Sequence, residues 1–149
     1  MNSLLTALMQ QMLKQAEKEM KTQPEVTCQF LCQDEGGKIE VEKFGMPPRE
    51  KQGLFTTLIR SYFQSKGYRR YVFMSEVWEV EYNPETAHIP PSKHNSRKEF
   101  LQIHGRDVDG SSILYIFPIR RDSKNRRTLG ERIDIDDATG PLTNFLEAA

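Results

Sequence analysis

The chain predicts an α+β fold, a mainly antiparallel β-sheet of five to six strands with two main helices packed on one face. Three observations carry this reading. Two segments repeat their apolar residues at helical spacing, several others alternate or run apolar over strand length, and hairpin-length links join successive strands.

The first helix is predicted from Ser3 to about Met20. Leu5, Leu8, Met9, Met12, Leu13, Ala16 and Met20 form one stripe, and Ser3 is a plausible N-cap. A methionine-rich stripe reads first as core, with a peripheral helix or an oligomer contact as the alternative. Strands follow at Val26 to Gln33 and Lys38 to Phe44 around Asp34-Glu35-Gly36-Gly37, a tight-turn sequence. Pro48 suits the first turn of a second helix, which runs to Lys66 with Leu54, Phe55, Leu58, Ile59, Tyr62 and Phe63 on one face and Gly67 as its stop.

Tyr68 to Tyr82 reads as a long strand whose first half is apolar on both faces, which places it centrally in the sheet. Asn83 to Ser96 contains three prolines and reads as a loop. Lys98 to Arg106 and Ser111 to Arg120 form a second hairpin around Asp107-Val108-Asp109-Gly110. A last strand falls around Arg127 to Asp136, and Pro141 to Ala148 suits a short helix. No internal repeat and no Gly-, Ser- or Pro-rich linker divides residues 1–149, which predicts a single domain.

A chain of 149 residues buries roughly 68–70% of its unfolded surface, enough for a core without disulfides or a structural metal. With 21 basic against 21 acidic residues, the molecule has no net field to steer nucleic acid or an anionic membrane toward it. Apolar runs are too short for a membrane helix and Met1 to Leu13 carries no charge, so neither a membrane partner nor a signal peptide is predicted. The two cysteines, Cys28 and Cys32, are four residues apart on one strand, too far for a disulfide; reduced thiols point to the cytoplasm.

Glu76 is the residue most suggestive of chemistry, because alternation puts it with Met74 and Trp78 on one face. Apolar surroundings raise a carboxyl's pKa and tune it for proton transfer, whereas an Arg or Lys from another strand makes it structural. His104, on the next strand, completes an acid/base dyad with Glu76 if pairing and register allow. His88, His94 and Glu85 lack the ligand number and spacing of a zinc site. Asp107-Val108-Asp109-Gly110 lacks the closing Glu of a calcium loop and is explained by a hairpin turn. Asp134 and Asp136 read as the wet face of an edge strand.

The strongest charge feature is the stretch Arg120, Arg121, Lys124, Arg126 and Arg127, with Asp122 as its single acid. Such a finger grips phosphates, and Arg69 and Arg70 add a second basic point if they lie at the same edge; otherwise it is a charged loop that blunts a strand edge. There is no Gly-rich phosphate loop, nucleophile elbow, paired CxxC or zincin helix, so no cofactor or metal is predicted.

Three functional readings result. The leading one is a non-enzymatic protein-interaction or adaptor module, binding itself (as a homodimer) or another protein through the Met-rich helix or a sheet edge. The second is a nucleic-acid-associated protein using the basic 120–127 loop. The third is a small ligand-binding protein or enzyme using Glu76 and His104.

Overall fold

A computed structural model gives the fold and describes residues 2–44, 51–79, 84, 85, 88 and 98–135. Along the chain lie α1 (Ser3–Thr22), β1 (Gln29–Asp34), β2 (Ile39–Glu42), α2 (Gln52–Lys66), β3 (Tyr68–Glu79), β4 (Lys98–Asp107), β5 (Ser112–Arg121), β6 (Arg127–Leu129) and β7 (Ile133–Ile135). Every strand pairs antiparallel, in the order β2-β1-β3-β4-β5-β6, with β7 also on β5. This is the α+β class with the antiparallel sheet that the sequence predicts. No helix among the described residues is long and apolar enough to cross a membrane.

The α1 stripe is core. Leu5, Leu8, Met9, Met12, Ala16 and Met20 are buried against Leu31, Val72, Met74, Leu101, Ile103, Tyr115 and Phe117. The helix sits on the sheet backbone itself at Gly105, where a Cβ would lie 2.9 Å from Met9 Sδ and 3.0 Å from Leu5 Cδ1. Its stripe methionines Met9, Met12 and Met20 are thus buried within the chain. Asn2, not Ser3, caps it: Asn2 Oδ1 accepts from Leu5 N at 2.9 Å, and its Nδ2 reaches Asp107 and Asp109 at 2.9 and 3.0 Å.

The two helices do not share a face. Phe30 and Cys32 of β1 and Tyr71 and Phe73 of β3 alternate with the residues under α1, and they pack on Ile59, Phe63 and Tyr68 on the opposite side. The reason is in the strands: β1 and β3 are apolar on both faces, and a sheet so built is covered on both. Gly67 ends α2 in the left-handed region at φ 70°, as its position predicts. Pro48, the predicted opening of this helix, lies outside the described residues, as do residues 80–83, most of the proline-rich loop and the predicted 141–148 helix.

The predicted last strand is split. Ile119 pairs with Leu129 but Ile116 pairs with Ile133, so β6 and β7 carry one residue more than β5 between these points, a β-bulge. Pro118 imposes it. Its carbonyl accepts from Gly130 N at 2.7 Å on this edge, and its nitrogen, pointing the same way, has no proton to give.

Candidate functional site

Strands β3 and β4 are neighbours, as the Glu76–His104 dyad requires, but their register separates the two residues. Glu76 stands opposite Leu101 on the α1 face; His104 stands opposite Phe73 on the α2 face. The dyad does not form.

Both oxygens of Glu76 are committed. Val26 N donates to Oε2, and Arg127 Nη1 donates to Oε1 at 2.5 Å, with the side chains of Arg127 and Glu76 only 5% and 6% exposed. The partner comes from β6, three strands away, because the curl of the sheet carries that strand over the α1 face. A second buried carboxylate, Glu19, supports the same connection. It accepts from Gln15 Nε2 at 2.6 Å, Thr27 N at 2.8 Å and Gln29 Nε2 at 2.8 Å. Burial pushes the Glu19 pKa up, and these donors outweigh it and hold it below the ordinary value. Glu19 was legible in the sequence: it falls three residues after Ala16 on the buried stripe, where a charge has to be satisfied internally.

His104 is 1% exposed, with Nε2 3.2 Å from Ser112 Oγ. Burial, assisted by the Arg106 charge, pushes its pKa from 6.5 down to about 4. The folded state therefore resists protonation more than the unfolded chain. Its contribution to stability is complete above pH 6.5, is lost as the pH falls toward about 4, and changes no further below that. Chemical denaturation across this window should show a loss of up to about 3 kcal/mol that a folded His104→Gln variant lacks. Equal pH dependence in the two proteins would refute it.

The basic loop is largely neutralised. Arg121 binds both oxygens of Glu99 at 2.9 and 3.0 Å, Arg126 binds Asp122 at 2.7 Å, and Arg127 is the buried partner of Glu76. Asp122 also accepts from Lys124 N and Arg126 N, so it builds the turn as well as discharging it. Arg120 and Lys124 are exposed and form no ion pair among the described residues. The second basic point is at the wrong end. Arg70 pairs with Asp107 at 2.7 Å near the start of β3, whereas Glu99 and Arg121 lie beside its end, roughly 30 Å away along the strand.

Among the described residues no cluster of His, Cys, Asp and Glu is arranged to hold a metal ion. His94, Asp136 and Asp137 lie outside them. The Asp107 to Gly110 segment is a hairpin turn, with Asp107 Oδ1 accepting from Asp109 N at 3.1 Å and Asp109 Oδ1 from Ser111 N at 2.7 Å. Cys28 and Cys32 are free thiols; burial pushes Cys28 up to about 11 and Cys32 further, so neither is poised as a nucleophile.

The outer edge of β2 brings backbone groups and exposed aliphatic side chains together. No described strand pairs with its outer side. Asp34 N donates to Lys38 O at 3.1 Å, so by alternation Lys38, Glu40 and Glu42 bond to β1 while Ile39 and Val41 turn their N–H and C=O groups outward. Their side chains are 40% and 53% exposed. Val41 also borders a groove of about 600 Å³ between this edge and α1, lined by Gln11, Gln15, Gln29, Leu31 and Lys43. On the reverse face Glu42 accepts from Tyr62 Oη at 3.0 Å and Tyr68 Oη at 2.6 Å, and Glu40 meets Lys38 and Lys66 at 3.1 and 3.3 Å. Tyr62 continues into Leu58 and Leu54, which are 60% and 64% exposed along one side of α2. No protein-family model matches the chain, and neither a curated protein nor a solved structure is found similar to it.

Proposed function

We propose that the protein is a non-enzymatic interaction module that takes an extended segment of a partner protein along the open edge of β2. The observation that carries this is the coincidence, at Ile39 and Val41, of outward backbone groups that no described strand uses with exposed aliphatic side chains. Ladder hydrogen bonds supply affinity there, and alternate side chains supply selection. Partner residues opposite Ile39 and Val41 face the α1 groove and are apolar. Of the residues on the reverse face, the one opposite Glu42 is basic, since Glu42 is held by tyrosine hydroxyls and no lysine among the described residues, whereas Glu40 already meets Lys38 and Lys66; opposite charges directly across a sheet attract.

A heptapeptide of alternating valine and lysine is the probe. Amide hydrogen exchange on the full chain should slow at Ile39 and Val41 when it binds, and a peptide with proline at its central residue should not produce this. Val41→Pro removes an outward donor without touching the ladder to β1, and should weaken binding about two- to tenfold, the worth of one hydrogen bond. Unchanged exchange at these two amides sinks the proposal. Slowing that depends on protein concentration alone reassigns the edge to a second copy.

A further inference from the structure

At the opposite side of α1 from the β2 groove lies a larger cleft, of about 840 Å³, between the end of that helix and the β5–β6 hairpin. Met20, Lys21, Pro24, Arg126, Arg127 and Leu129 are among its lining residues. One wall contains an unfinished interaction. A guanidinium normally meets a carboxylate as a fork, two parallel N–H groups on two oxygens. Glu76 does not complete the fork: Val26 N donates to one of its oxygens and Arg127 reaches only the other. Arg127 Nη2 is left buried with no hydrogen-bond partner among the described residues. A buried charged donor without an acceptor is rare and costly, and calls for a bound group.

We infer that this cleft binds a small organic oxyanion, a carboxylate or a phosphate monoester, whose oxygen accepts from Arg127 Nη2. Glu76 fixes the guanidinium plane, so the orientation of the donor is set before the anion arrives. Lys21, exposed at the lining and without an ion pair among the described residues, supplies a second positive charge. Met20, Pro24 and Leu129 offer apolar surface to the carbon skeleton. Glu17 and Asp122 also line the cleft, but Asp122 is held by Arg126 and by its own turn. Nη2 is shut off from bulk water, so side chains at the mouth have to give way, and the bond then forms at low dielectric where it is strongest. This inference is independent of the strand-taking edge.

The test titrates the full chain with inorganic phosphate and, separately, with succinate, at constant ionic strength with sodium chloride as the reference salt. The expected result is a saturable rise in melting temperature with one or both oxyanions and none with chloride. The anion that saturates at the lower concentration identifies the source. Arg127→Lys keeps a cation for Glu76 but loses the fork, and should weaken the effect about tenfold or more. Lys21→Ala, a surface change, should weaken it by a smaller factor. Should Arg127→Lys fail to fold, the Arg127 side-chain NMR signals of the wild type decide. They are expected to shift with the oxyanion and not with chloride. No saturable effect from either oxyanion, an effect that survives Arg127→Lys, or unmoved Arg127 signals would overturn the inference.

Discussion

Replacing Glu76 with alanine is expected to destabilise the protein by about 3–5 kcal/mol, the usual cost of removing one partner of a buried ion pair. Two losses combine. The Arg127 charge, in a side chain 5% exposed, is left without its acceptor, and the backbone N–H of Val26 loses the same carboxylate. Out of a total stability of ~5–15 kcal/mol this is a large fraction, so the midpoint of urea denaturation should fall steeply with its slope unchanged. Glu76→Gln should fall nearly as far. An amide has one oxygen for two donors, so its NH2 group faces either Val26 N or Arg127. The double variant Glu76→Leu with Arg127→Met should recover most of the loss, because well-packed apolar residues replace a buried pair at little net cost. A single-variant loss under about 1 kcal/mol would show that water reaches the pair and satisfies it.

The same clamp explains why this residue invited a chemical reading. Alternation along β3 places Glu76 on an apolar face, and that much was legible. The identity of its partner was not, since Glu76 and Arg127 are 51 residues apart and meet only through the curl of the sheet. Face parity across strands is likewise a long-range property. A shift of one residue in the pairing of β3 with β4 would place His104 on the face of Glu76; the observed register places it opposite Phe73 instead.

Local physics is more fully legible. The helical stripes, Gly67 and the two hairpins are dictated by residues close in sequence and lie where those residues predict. The strands apolar on both faces were visible as well, and they imply cover on both sides rather than helices on one. Pro118 inside the apolar run 113–117 and 119 carried the signal for the break between β6 and β7. The open β2 edge is of another kind. Its alternating Ile-Glu-Val-Glu is plain in the sequence, but only the strand order shows that no described strand covers it.

Phe63→Ala is expected to release α2 from the sheet before the rest of the fold gives way. The helix has little to hold it by itself. Lys51 at its start makes no side-chain cap, its first turn has no acid, and a helix of 15 residues is marginal without packing. Its outer side is exposed at Leu54 and Leu58, so the apolar hold comes from Ile59 and Phe63 with Phe55 beside them, supplemented at the exposed rim by Tyr62 on Glu42 and Lys66 on Glu40. Phe63 is fully buried, with ring centroids 5.5 Å from Phe30, 5.3 Å from Tyr68 and 5.6 Å from Tyr71. Truncating it removes these ring contacts and leaves a cavity, at a cost of about 3–5 kcal/mol, whereas Phe63→Leu should cost less because it keeps most of the volume. Since α1 covers the other face through a separate cluster, the loss should concentrate in one unit. Hydrogen exchange should then quicken across residues 52–66 while α1, β4 and β5 keep their protection. Uniform loss of protection through all elements would mean that α2 and the sheet open together, and the separation of the two faces into independent cores would be wrong.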